Sequence, residues 1–137
     1  MKYINQPVIK KDAYALLSGK PVYTDDLAPA DCLVIKLLRS PHAHARIKSI
    51  DTGAAKRIPG VEAIFTYKDV PASRFTLAGQ TYPEPSPYDR LILDEVVRYV
   101  GDEVAIIVAK NEASALQAMK LIRVEYEVCL LYTSRCV

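Results

Sequence analysis

Apolar positions along the chain change period several times, and each change marks a structural element. Cys32-Leu-Val-Ile-Lys-Leu-Leu38 is a nearly continuous apolar run rich in branched residues, the pattern of a strand covered on both faces, and it is expected to be central. Cys32 opens this run and reads as a small buried hydrophobe. Residues 43–50 alternate instead, with Ala43, Ala45 and Ile47 on one face and His44, Arg46 and Lys48 on the other, as in a half-buried strand. Asp51 or Thr52 can cap a short helix carrying Ala54, Ala55 and Ile58, which Pro59-Gly60 stops before a strand over residues 61–66.

Residues 96–99 and 104–109 read as strands separated by the turn residues Gly101-Asp102, the second of them buried. Asn111 is a good N-cap, Glu112 complements the helix N-terminus, and Ala115, Ala118, Met119 and Ile122 form one helical stripe. Val124, Tyr126 and Val128 then face one way while Glu125 and Glu127 face the other, giving a final strand.

Ahead of these elements, residues 1–11 read as a leading arm, and residues 12–17 can make a turn or two of helix that Gly19 and Pro21 end. Between residues 71 and 89 the apolar pattern lapses, and Gly79, Pro83, Pro85 and Pro87 make a long irregular connection of the kind that usually has a functional or interface reason. Four or five strands with two or three helices imply an α/β (α+β) fold, a mixed β-sheet with helices packed against it. No internal repeat and no linker divides residues 12–128, which read as one domain followed by an atypical tail at 129–137.

Half of the 137 residues are hydrophobic and a quarter charged, the balance of a globular chain able to bury a core, which excludes disordered and fibrous classes. Eighteen Lys and Arg against sixteen Asp and Glu are interleaved with no basic block, so nucleic-acid binding has no electrostatic footprint. No apolar run approaches the roughly 20 residues of a membrane span, and the start Met1-Lys-Tyr-Ile-Asn-Gln-Pro7 lacks a signal peptide's apolar region. No membrane association and a cytoplasmic location are expected. Three cysteines, Cys32, Cys129 and Cys136, include no C-x-x-C pair, so reduced thiols are expected rather than a disulfide framework or an iron–sulfur site.

Candidate chemistry is sparse. His42-x-His44 could bite one ion if both lay on a strand, but no third ligand is near in sequence, and satisfied strand or interface histidines are the better reading. Asp25-Asp26, Asp94-Glu95 and Asp102-Glu103 sit by turns and read as solvated loop charges. Ser40 has histidines close behind it but lacks a G-x-S-x-G setting and an oriented base. The five glycines form no phosphate-cradling loop. Tyr82-Pro-Glu-Pro-Ser-Pro-Tyr88 favours extended backbone, as a rigid loop or a partner surface. No catalytic, cofactor-binding or metal-binding residue is assigned.

Several of these pieces together resemble one family. Ser40-Pro-His-Ala-His-Ala-Arg-Ile-Lys-Ser-Ile-Asp51, Pro59-Gly60-Val61, Tyr99-Val-Gly-Asp-Glu-Val-Ala105 and Val124-Glu-Tyr-Glu127 resemble, in order and spacing, the amino-terminal α/β hammerhead domain of the large subunits of xanthine dehydrogenase and aldehyde oxidase, the molybdenum hydroxylases. Gly19-Lys-Pro-Val-Tyr23 with Asp25-Asp26-Leu27 resembles that family's opening motif. The resemblance implies a fragment that binds no cofactor and is non-catalytic alone. It implies molybdopterin, carrying molybdenum, and a catalytic glutamate in later domains of a full-length enzyme that hydroxylates heterocycles or aldehydes with oxygen from water. Iron–sulfur clusters and FAD would belong to other domains or subunits, and the implied partners are the remaining large-subunit domains and the flavin and iron–sulfur subunits.

After Val128 a Leu-Pro continuation is expected from the resemblance, but Cys129-Leu-Leu-Tyr-Thr-Ser-Arg-Cys-Val137 follows, which reads as a truncated gene with a foreign tail. The Met1 start favours a separate large subunit over a long fused chain. Two other readings stand beside the fragment: a stand-alone binding or assembly module using residues 71–89, and, weakest, a small metal-dependent enzyme built on His42 and His44. Detached from its neighbours, such a domain would expose apolar surface and associate, a homo-oligomer being one form.

Overall fold

The computed structural model describes residues 4–77 and 87–129. The chain divides into two units, Met1–Cys32 and Leu33–Val137. In the first, α1 (Ala13–Leu17) is followed by a 3-10 turn at Thr24–Leu27, where the Tyr23 amide donates to Asp26 Oδ2 at 2.9 Å. None of the described residues of this unit is buried, so it has no apolar core of its own. Cys32 is exposed, contrary to expectation: the strand starts two residues later, and the thiol lies outside any sheet.

In the second unit β1 (Val34–Arg39), β2 (Ala45–Asp51), β3 (Val61–Thr66), β4 (Val96–Val97), β5 (Glu103–Ala109), α2 (Glu112–Leu121) and β6 (Arg123–Val128) follow in turn. The expected α/β hammerhead class, with helix packed on sheet, is what these elements build. The strands form two three-stranded sheets, in the orders β1-β5-β3 and β4-β2-β6, and each pairing is antiparallel.

The central strand of the first sheet is β5, not the run opened by Cys32. β5 buries Val104, Ala105, Ile107 and Ala109, whereas β1 is an edge strand whose Ile35 is 61% exposed. An unbroken apolar run signals cover on both faces only if something covers the second face, and in this chain one face of β1 stays open. The strand expected at 96–99 shortens to Val96–Val97 because the Arg98 amide turns away to donate to Asp102 Oδ2 at 2.8 Å. The short helix expected around Ala55 is a single 3-10 turn, Ala55–Arg57.

β2 follows its alternation only as far as Ile47. A register shift between Ile47 and Ser49 makes Lys48 an extra residue, so Ile50 pairs with Val124 and joins the inner face. Such a bulge re-phases a strand by one position.

α2 begins where the capping signal places it, with Asn111 accepting the Ser114 amide at 2.8 Å. Its small residues Ala115 and Ala118, with Ile122, lie on Ile64, Ala105, Ile107 and Ala109 of the first sheet, forming one core. A second core gathers Ala45, Ile47, Val97 and Val104, and Leu38, Ile50 and Val124 touch both cores, joining the sheets. Burying a side chain the size of Ile107 is worth about 2–3 kcal/mol before packing is counted.

Candidate functional site

The motifs singled out in the sequence converge on the joint between the two sheets. Ser40 follows β1 directly, and its amide donates to the Asp102 carbonyl at 2.8 Å while the Gly101 amide donates to the Ser40 carbonyl at 2.8 Å. Arg39 Nη1 closes the same turn, donating to the Gly101 carbonyl at 2.7 Å and to Glu103 Oε1 at 2.8 Å. Gly101 adopts φ +97°, where any side chain would strain the backbone, and this accounts for glycine in the Tyr-Val-Gly-Asp run.

Ser40 is 3% exposed. Its Oγ accepts the His42 amide and donates to the His42 carbonyl, both at 3.0 Å, and it also hydrogen-bonds Tyr126. The His42 ring stands edge-on to Tyr126 with centroids 4.8 Å apart. Burial pushes the Tyr126 phenol above its ordinary pKa, the Ser40 hydrogen bond opposing. Ser40 is thus spent on local backbone and on Tyr126, with no oriented base beside it.

Asp102 corrects one expectation. It is 5% exposed rather than solvated, because its carboxylate organises the turn: Oδ2 accepts the Arg98 amide at 2.8 Å, and Oδ1 accepts the Glu103 amide and Arg90 Nη2, each at 3.2 Å. Arg90 also donates to the Tyr99 hydroxyl at 3.2 Å, and its guanidinium lies 5.3 Å from the Tyr99 ring centroid. Burial opposes the Arg90 charge, but the Tyr99 hydroxyl and the Asp102 carboxylate outweigh it and raise its pKa. Arg90 exchanges two backbone hydrogen bonds with Phe75, at 2.9 and 3.1 Å, and so closes the base of the long connection. The sequence offers no signal for this arginine, because its partner lies twelve residues away across a turn and charge alone does not reveal burial.

The other carboxylates are plainer. Asp25 and Asp26 are exposed, Asp26 capping its own turn. Asp94 accepts the Val96 amide at 3.2 Å and Arg98 Nη1 at 2.8 Å; burial would raise its pKa, yet these donors leave it lowered. Glu95 pairs with Arg46.

His42 and His44 precede β2 on a bend, so they do not share a strand face. His44 uses its carbonyl to accept the Cys129 amide at 3.0 Å. No three His, Cys, Asp or Glu residues converge among the described residues, and every buried side-chain nitrogen or oxygen there has a partner. The described residues thus offer neither a preformed cluster of metal ligands nor an unpartnered buried side-chain atom. Of the Tyr82 to Tyr88 stretch, positions 82–86 lie outside the described residues, as do positions 130–137 with Cys136.

Pro59-Gly60 is buttoned to the start of α2. Ser114 Oγ donates to the Pro59 carbonyl at 2.9 Å and the Lys110 amide to the Gly60 carbonyl at 2.8 Å. Gly60 has φ +89°, and a Cβ there would stand 3.0 Å from Ser114 Oγ. Only glycine meets both conditions.

Comparison with known proteins matches this arrangement. The sequence profile of the family described as "Aldehyde oxidase and xanthine dehydrogenase, a/b hammerhead domain" matches residues 18–129. The chain is 46% identical over 128 residues to the probable hypoxanthine oxidase XdhD of Escherichia coli K12, covering 93% of this chain and 13% of that protein. It is 40% identical over 123 residues to the xanthine dehydrogenase molybdenum-binding subunit of Escherichia coli O157:H7, covering 87% and 16%. Among solved structures, quinoline 2-oxidoreductase from Pseudomonas putida 86 superposes with a TM-score of 0.75 at 37% identity, covering 90% of this chain and 16% of that one. The chain thus spans 13–16% of the length of these relatives.

Proposed function

The chain belongs to the aldehyde oxidase and xanthine dehydrogenase a/b hammerhead domain family, and from that premise we propose that it serves as a packing domain of a molybdenum-hydroxylase large subunit and contributes no catalytic or cofactor-binding residue of its own. The observation that supports this is the fate of the family motifs. Ser40, His42, Gly101, Asp102 and Tyr126 hold the joint between the sheets, and Gly60 and Ser114 hold α2, so these residues are engaged in structural contacts.

In this reading residues 12–128 form the module, residues 1–11 lead into it, and residues 129–137 depart from the family pattern. The family takes its name from both aldehyde oxidase and xanthine dehydrogenase, so the proposed substrates of the whole enzyme are heterocycles or aldehydes. Molybdopterin, held by the remaining large-subunit domains, would supply the oxidising centre, with iron–sulfur and flavin partners taking the electrons. No described helix is long and apolar enough to cross a membrane; a cytoplasmic setting is part of the proposal.

The test is to read the encoding gene past Val128, express the whole frame and measure its metal content by mass spectrometry. Large-subunit sequence and stoichiometric molybdenum are the expected outcome. A native stop after Val137 and a metal-free product would overturn the reading in favour of a stand-alone assembly module.

A further inference from the structure

The first sheet has two faces with very different cover. α2 packs on the face that carries Ile64, Ala105, Ile107 and Ala109. The opposite face carries two cross-strand rows, Ile35–Val108–Ala63 and Leu37–Ile106–Phe65, read from the register of β1 and β3 against β5. All six side chains are apolar and none is buried; Ile35 is 61% and Phe65 39% exposed.

A sheet face meant for water alternates polar residues against the buried set. The second sheet does so: on its outer side Arg46 stands opposite Glu127 and Asp51 opposite Arg123. The open face of the first sheet has no charge among its six positions, so water is the wrong medium for it. One end of it is already enclosed, since Val104 and Tyr67, which continue the alternation of β5 and β3, pack into the core shared with the second sheet. What is missing is cover for the rest.

We infer that this face is buried by an apolar segment of the same large-subunit polypeptide, from the part lying outside these 137 residues. The inference rests on the large-subunit reading above and adds the surface through which the domain docks. The choice of occupant follows from length: the same fold occupies only 13–16% of the relatives, so most of the chain available to cover it is elsewhere in one polypeptide, at an effective concentration that a second copy does not reach.

The test uses the protein expressed from its complete reading frame. Ile35→Cys and Phe65→Cys are introduced singly, with Lys48→Cys on the exposed outer side of β2 as reference, and maleimide labelling is mapped by peptide mass. Both face variants are expected to label about 100-fold more slowly than the reference in the native subunit, as for groups reached only by local opening, and at the same rate in urea. Hydroxyl-radical footprinting of the unsubstituted protein, with Phe65 protected about tenfold relative to the unfolded chain, gives the same answer if a cysteine variant fails to fold.

Labelling at the reference rate, or Phe65 unprotected, in a molybdenum-containing subunit overturns this inference and leaves the function standing. Protection that disappears on dilution assigns the face to a second copy and also overturns it. A frame that encodes no further large-subunit sequence removes both the occupant and the function.

Discussion

On the outer side of the β4-β2-β6 sheet Arg46 faces Glu127, Asp51 faces Arg123, and Ser49 Oγ donates to Glu125 at 3.1 Å; on the open side of the β1-β5-β3 sheet the corresponding positions are Ile35, Leu37, Phe65 and Ile106. Both surfaces are accessible in this chain. Only the first has the cross-strand opposite charges that make a sheet face content in water. The difference teaches that accessibility and design for solvent are separate properties, and that polarity along the strand, rather than exposure, tells which surface is a finished one. It also explains why the motif residues gather where they do, at the joint that sets one sheet against the other.

The comparison can be broken most directly on β5, where adjacent residues point to opposite faces. Ile107→Ala empties a fully buried position under α2 and is expected to cost about 4 kcal/mol in urea unfolding, while Ile106→Ala on the open face costs less than about 1.5 kcal/mol. A reversed order would mean that the open face is the true core side. Next is the joint. Asp102→Ala takes one carboxylate partner from the Arg90 guanidinium, 19% exposed, and removes the acceptor for two backbone amides, for a loss of roughly 3 kcal/mol. Asp102→Asn, which keeps one acceptor oxygen, should lose less, and equal losses would show that charge rather than amide satisfaction dominates. Gly60→Ala is expected to cost about 1–2 kcal/mol from its positive φ. Adding Ser114→Ala relieves the close contact but not the backbone strain, so the double variant should recover only part of the loss.

The sequence made legible whatever is decided locally. Asn111 as the α2 cap, the Ala115 and Ala118 stripe, the 61–66 strand and the turn at Gly101 depend on neighbours within a few positions, and they fell where the pattern placed them. What escaped is set by distant partners. The edge position of β1 depends on which strand pairs with β5; the inward turn of Ile50 depends on a bulge at Lys48 that strict alternation does not show. The burial of Asp102 depends on Arg90. The family resemblance marked Ser40, His42, Gly101, Asp102 and Tyr126 in order, but only the structure shows that these segments, up to 86 positions apart, touch.

Smaller effects sharpen the contrast at the sheet ends. Asp69 caps the end of β3, accepting the Thr66 amide at 2.8 Å and the Thr66 hydroxyl at 2.7 Å. The Thr66 hydrogen bonds hold its carboxyl below the ordinary value of 3.8, with Lys56 and Lys68 assisting and desolvation opposing. A carboxylate depressed on folding contributes stability above its unfolded pKa and loses it as pH falls through the folded value. The stability this carboxylate contributes should therefore be lost as pH falls below its ordinary value, and Asp69→Asn, costing less than about 1 kcal/mol at neutral pH because solvent screens this exposed group, should flatten that part of the urea-midpoint profile.

The smallest expected change tests the finished surface itself. Arg46 pairs with Glu95 and stands opposite Glu127, and its side chain is 54% exposed. Exposed pairs of this kind are screened by solvent and pay side-chain entropy to stay together, so Arg46→Ala should shift stability by no more than about 0.5 kcal/mol and lose even that in high salt. A loss above about 1.5 kcal/mol that persists in salt would mean the charged side of the second sheet is a desolvated, load-sharing surface, and the distinction between a face built for water and a face awaiting a partner would then fail on the sheet where it looks clearest.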